Sequence, residues 1–180
     1  MIFSKTKIQD CLNIRLERRG DDRGFFARFF CSNEFKQTGY PIEIKQANDS
    51  LSAEKGTLRG MHYQVGDASE TKIIRCLKGA IYDVVLDLRK DSSSYLKWEG
   101  FYLDAENRDM IRVPKGCAHG FLTLEPNTEV FYLVDNEYCP EMERGVRWND
   151  PTFNILWPIL PKVISDKDNS WANFDHMELP

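Results

Sequence analysis

The stretch KIIRCLKGAIYDVVLDL, Lys72–Leu88, decides how the rest of the chain is read. It joins two runs rich in β-branched and apolar residues through Lys78-Gly79, the signature of an antiparallel hairpin on a two-residue turn. Within Ala80–Leu88 a strand's period of two places Tyr82, Val84, Leu86 and Leu88 on one face and Ile81, Asp83, Val85 and Asp87 on the other. Neither face is fully polar. A strand apolar on one side and mixed on the other predicts a small barrel whose interior is partly a ligand cavity. Asp83 then points either into that cavity or out to solvent.

Further short runs follow at LKWEGFYL, DMIRVP, GFLTLE and EVFYLVD, separated by Asp-Ser, Glu-Asn, Pro-Lys-Gly and Glu-Pro-Asn breaks. Strands of this length at this spacing predict an antiparallel sandwich or barrel. Helical signal is weak: Ser32 is placed to cap a short helix over NEFKQTG, and the tail after Pro161 has room for another turn or two. No βαβ rhythm or GxGxxG motif is present, which disfavours a dinucleotide fold. No repeat or linker-like run divides the chain, so one domain over residues 1–180 is expected.

Net charge is -4, with basic residues scattered, so the electrostatic footprint of a nucleic-acid binder is missing. An anionic ligand would have to be held by a local group of arginines and lysines. No apolar run approaches the roughly 20 residues that span a bilayer, so no membrane partner is expected. Cys11, Cys31, Cys76, Cys117 and Cys139 are odd in number and widely spaced, and MIFSKTKIQD does not resemble a secretory signal. A reducing cytoplasm is the expected compartment.

Three kinds of chemistry compete. His62, His119 and His176 are far apart in the chain, with no HxH or HxxxH pair, so no metal site is expected. There is no GxSxG elbow; Cys117, two residues before His119, is a weak candidate nucleophile. Acid–base chemistry on an anionic ligand draws on more residues. GTLRGMHYQ supplies Arg59 and His62, KGCAHGF supplies Lys115 and His119, and Lys72 begins a strand. EVFYLVDNEY adds Tyr132 and Tyr138, which share a face if the strand continues. Acids, bases and cations around one cavity suit proton transfer beside a phosphorylated substrate.

The segments DDRGFFARFF, IKQANDS, GTLRGMHYQ, KIIRCLKGAIYDVVLDLRKDS, LDAENRDMIRVPKGCAHGFLTL, ERGVRWNDP and ILWP occur in an order and spacing that resemble the dTDP-4-dehydrorhamnose 3,5-epimerases. The resemblance runs from about Ile8 to Asp168. It implies an all-β cupin-type jelly roll, a double-stranded β-helix barrel with short peripheral helices. It also implies a homodimer in which an N-terminal segment of one subunit helps build the other's site, with no metal and no organic cofactor. The implied small-molecule partner is a sugar nucleotide. The implied reaction inverts C3 and C5 of dTDP-4-dehydro-6-deoxy-D-glucose through enolates, towards activated L-rhamnose for surface polysaccharide.

Residue by residue, the resemblance makes His62 the base, Asp168 in ISDKDNS its carboxylate partner, Lys72 the cation at the oxyanion and Tyr132 the returning acid. Arg23, Arg28, Gln46, Asn48, Arg59, His119, Tyr138 and Glu143 fall at substrate-contact positions, with Arg59 and His119 on the diphosphate. Asp83 falls near the base as a supporting residue. Two positions depart from the family's pattern: Arg28 stands where a glutamate is usual, and Ala47 where an aspartate is usual. Both lie in regions tied to nucleotide recognition. They keep open an epimerase on another nucleotide, such as a CDP sugar, or one inverting a single centre. Outside that class stand a non-catalytic sugar-nucleotide binding cupin and a keto-sugar isomerase.

Overall fold

The computed structural model describes residues 1–175; His176 lies outside them. The strands in order are β1 Ile2–Lys5, β2 Leu12–Arg15, β3 Arg19–Asp21, β4 Gly24–Phe26, β5 Gln46–Ser52, β6 Thr57–Gln64 and β7 Lys72–Lys78. After them come β8 Ala80–Asp87, β9 Trp98–Asp104, β10 Met110–Val113, β11 Cys117–Thr123, β12 Thr128–Val134, β13 Glu143–Gly145 and β14 Val163–Ile164. Two one-turn helices, α1 Ser32–Gln37 and α2 Asp166–Ser170, flank them.

One sheet has the order β1-β2-β10-β7-β12-β5 and the other β13-β6-β11-β8-β9, with β14 alongside β6. Their inner faces meet in a shared interior: Ile74, Cys76 and Val130 from the first sheet pack with Ile81, Val85, Leu103 and Phe121 from the second. This is the expected jelly roll, two sheets that are antiparallel except where β14 runs parallel to β6, with short helices.

Lys78-Gly79 does not close a hairpin. β7 pairs with β10 and β12, whereas β8 pairs with β9 and β11, so the chain crosses from one sheet to the other at this link. Both runs are apolar on both faces, and each takes two strand neighbours within its own sheet. A hairpin and a corner share the same local signature, a short link with a glycine at positive φ. Gly79 has φ +74°, and a Cβ there would stand 2.4 Å from the Thr128 hydroxyl and 3.2 Å from its Cα.

The unusual patterning of Ala80–Leu88 is explained by a second layer of cover. Tyr82, Val84 and Leu86 face away from the interior, yet they are buried beneath Val146, Phe153 and Ile155 of the chain's last third. Burying each of the two aliphatic side chains, Val84 and Leu86, contributes about 1.5–3 kcal/mol. On the opposite side, Ile14, Ile73, Met110 and Leu133 of the first sheet are covered by Phe35 and Ile42. Phe35 anchors α1, which begins at Ser32 with Cys31 in the cap position and no side-chain capping bond. Ser32 is therefore inside the helix rather than its cap; one turn held by a buried aromatic does not need one. Among the described residues, no helix is long and apolar enough to cross a membrane.

The crossing at Gly79 predicts that Gly79→Ala costs about 1–3 kcal/mol, from left-handed backbone strain and the clash with Thr128. Urea unfolding at equilibrium would measure it; an unchanged midpoint would remove the corner's dependence on glycine.

Candidate active site

Strand alternation should send Arg59 and His62, an odd number of residues apart, to opposite faces. They nevertheless line the same cavity. β6 and β11 pair with His119 opposite His62, and then the register shifts between His119 and Phe121. At that point Gly60 crosses Gly120 so closely that a Cβ on Gly60 would stand 2.5 Å from the Gly120 Cα. Two glycines thus permit the irregularity that brings Arg59 and His62 to one side.

His62 Nε2 lies 2.6 Å from Asp168 Oδ1. The other carboxylate oxygen accepts the Gly60 N–H at 3.2 Å. The Asp168 N–H donates in turn to the Ser165 hydroxyl, which caps α2. The tail turn expected from sequence thus carries the carboxylate across 106 residues to the histidine. Burial pushes the Asp168 carboxyl up, but the hydrogen bonds from His62, Gly60 and Ser165 outweigh it and hold the group below its ordinary value. With Nε2 committed to Asp168, Nδ1 is the ring's remaining basic position.

Tyr132 on β12 and Lys72 on β7 project from the other sheet into the same cavity. Burial chiefly, with the Glu70 carboxylate adding to it, raises the Tyr132 phenol, and Arg59 opposes this in part. Tyr132 is therefore a protonated phenol at neutral pH. This lobe, of about 310 Å³, also takes Arg59, His119 and Asp168 into its wall. Arg59 bridges the sheets, donating to the Ser52 hydroxyl and the Leu51 carbonyl of β5 at 3.1 and 3.2 Å.

A second lobe of about 390 Å³ shares His62, Lys72 and Tyr132 and extends past Gln46, Asn48, Tyr138 and Glu143. Gln46 and Asn48 lie on one face of β5, and Ser50, next on that face, lines the first lobe. Tyr138 reaches its lobe by a different route from the one expected, because β12 ends at Val134 and strand alternation does not extend that far. Its hydroxyl donates to Glu143 at 2.6 Å, and Lys167 also bonds that carboxylate.

Asp83 does not face solvent, and its hydrogen-bond partner is His119 rather than His62. The aspartate is fully buried, and Oδ2 lies 2.7 Å from His119 Nε2. The cavity therefore has a second histidine–carboxylate pair beside the first. Arg23 and Arg28 line neither lobe. Arg23, at the β3–β4 turn, bonds Asp21, and Arg28 lies 3.4 Å from Glu34, which also holds the Met1 amine. Ala47 is exposed on β5 and turned away from the cavity face that carries Gln46 and Asn48.

Sequence reasoning missed Lys167 and Glu70. Lys167 adjoins Asp168 in the chain, and Glu70 stands two residues before Lys72, the spacing that shares a face in an extended segment. Cys117 is buried and its thiol is pushed up by that burial, so it is not a nucleophile. Among the described residues, no three His, Cys, Asp or Glu side chains converge as a metal site. A larger cleft of about 570 Å³ opens beside Arg89, but Asp87 and Asp10 neutralise that arginine and no histidine lines the cleft.

Because the Asp168 carboxyl is depressed in the folded state, its contribution to stability is complete above the ordinary value of 3.8 and is lost as pH falls through the lower folded value. Asp168→Asn should therefore be less stable than the parent above the ordinary carboxyl value of 3.8 and should converge on it as pH falls through the depressed folded value. Urea midpoints across that range test this, and a gap that does not narrow in acid would contradict it.

A sequence profile described as dTDP-4-dehydrorhamnose 3,5-epimerase matches residues 5–176. The Escherichia coli K12 protein named dTDP-4-dehydrorhamnose 3,5-epimerase is 41% identical over 175 residues, covering 96% of this chain and 94% of its own. The crystal structure of the Bacillus anthracis enzyme of that name, with TDP and PPi bound, superposes with a TM-score of 0.93 at 41% identity, over 96% of this chain and 99% of the other. The Legionella pneumophila 3,5-epimerase, in complex with dTDP-4-keto-L-rhamnose, gives 0.86 at 34% identity over 93% and 89%. With a profile match over nearly the whole chain and relatives covered almost end to end, this chain belongs to the dTDP-4-dehydrorhamnose 3,5-epimerase family.

Proposed function

We propose that the chain inverts C3 and C5 of dTDP-4-dehydro-6-deoxy-D-glucose to give dTDP-4-dehydro-L-rhamnose, the precursor of activated L-rhamnose. One observation carries the residue roles: the His62–Asp168 pair and Tyr132 stand on opposite sheets across a single cavity. Both carbons flank the C4 carbonyl, so loss of either proton gives an enolate whose charge rests on the keto oxygen. His62 takes the proton, and Asp168 orients the ring and stabilises the imidazolium. Lys72 meets the developing oxyanion. Tyr132 delivers a proton to the opposite face of the same carbon, which makes the outcome inversion rather than simple exchange. The phenolate and imidazolium return to their starting forms by proton exchange with solvent.

Arg59 and His119 serve the diphosphate end; Gln46, Asn48, Tyr138 and Glu143 serve the remainder of the nucleotide from the second lobe. Asp83 fixes His119. The whole chain acts as one domain, a reading supported by the interior both sheets share. Arg23 and Arg28 act in the site of a second subunit of a homodimer; their distance from both lobes of their own chain supports this. The five unpaired cysteines support a cytoplasmic setting.

Ala47 gives no support to another nucleotide or to a single inverted centre, since it removes no side chain from the cavity face of β5. A non-catalytic binder has no use for an acid facing a base.

In deuterated water, the protein should place deuterium at both C3 and C5 of the dTDP-4-keto sugar and leave a CDP-linked analogue unlabelled. Label at one carbon only, or in the CDP sugar only, refutes the assignment. His62→Ala should slow exchange by roughly 10²–10⁴-fold while dTDP still binds. Tyr132→Phe should keep proton removal but lose inversion; equal loss of both would deny Tyr132 its role.

A further inference from the structure

The cavity holds a carboxylate in a place where substrate binding alone gives no reason for one. Glu70 Oε1 lies 3.1 Å from the Lys72 ammonium, with the two side chains only 10% and 15% exposed. A lysine that only had to supply positive charge to the developing oxyanion would be left unopposed, because a neighbouring anion weakens its field. The glutamate is also deliberately held. Gln64, itself buried, shares the two N–H groups of its amide among Glu70 Oε2 at 3.2 Å and the Ala68 and Glu137 carbonyls, while its own carbonyl accepts the Cys139 N–H. The next residue, Thr71, is fastened through its N–H to Asp135 at 2.6 Å.

We propose that Glu70 is a positioning residue for the epimerisation: it fixes the Lys72 ammonium against the first sheet and keeps the Tyr132 side of the cavity proton-donating. This rests on the proposed reaction. The charged and titratable groups around Glu70 divide accordingly. Lys72 lies in contact with it, Tyr132 stands on β12 beside the strand of Lys72, and His62, Tyr63, Tyr138 and Glu143 line the same lobe. A fixed negative charge near Tyr132 disfavours phenolate, and the phenol is indeed raised by burial and by Glu70, against the opposing pull of Arg59. The two sheets then carry opposite duties. Asp168 supports a base on one, and Glu70 supports an acid on the other. Each carboxylate acts through its neighbour rather than on the sugar.

The test needs no substrate. The ionisation of Tyr132 is followed as the difference in phenolate absorbance between each protein and its own Tyr132→Phe counterpart. Glu70→Gln, which is isosteric and can still accept from Gln64, should move Tyr132 ionisation to lower pH by about one unit. Glu70→Asp, which keeps the charge, should leave it near the parent. With the keto sugar present, the alkaline limb of the inversion rate in Glu70→Gln should move to lower pH by the same amount and the acidic limb should stay. Superimposable Tyr132 titrations in parent and Glu70→Gln overturn the proposal, as does Glu70→Asp shifting as far as Glu70→Gln. A parent that exchanges no sugar proton refutes the epimerase reading instead, and the substrate-free titration still decides the role of Glu70.

Discussion

One carboxylate ties the last part of the chain to the centre of the barrel. Asp168 holds the His62 ring with one oxygen and the Gly60 N–H with the other, so it fastens a side chain and a strand backbone together. The backbone it fastens is the irregular point of β6, where Gly60 crosses Gly120 and strand alternation gives way. Asp168 is the one buried side chain of α2, a single capped turn of five residues. The tail that covers the outer face of the second sheet and the orientation of the His62 ring therefore share a common fastening.

From that point the cavity's chemistry is a matter of which sheet a residue stands on. β6 and β11 bring His62, Arg59 and His119; β7 and β12 bring Lys72 and Tyr132. His62 and Tyr132 reach the same space from opposite walls. The apolar floor supplied by Ile74, Phe121 and Val130 lowers the local dielectric, so each ion pair at the rim acts more strongly than it would in water.

What could be seen in sequence follows the physics of each signal. The strands after Lys72 were legible because apolar runs and turn residues alternate there. β5 was not, since QANDSLS presents polar residues to a polar cavity and carries no hydrophobic alternation. The link at Gly79 was misread as a hairpin because pairing partners are non-local, and a corner and a turn look alike over two residues. Ser32 looked like a cap because capping is judged from residue type, whereas Phe35 burial positions that turn. For the site, local spacing gave an inventory of acids and cations; resemblance to a family connected His62 with Asp168. It could not give Asp83 its partner, since the strand pattern left two faces open and only the fold puts His119 on one of them.

Because both sheets contribute to the cavity, its reacting groups form a gauge of the gap between them. Arg59 spans that gap, anchored on one strand by its backbone and on β5 through Ser52 and Leu51. A slide or slight parting of the sheets leaves every ladder of hydrogen bonds intact, yet it moves His62 relative to Tyr132 directly. The two bonds from the Arg59 guanidinium to β5 therefore limit how far the walls that carry His62 and Tyr132 can part.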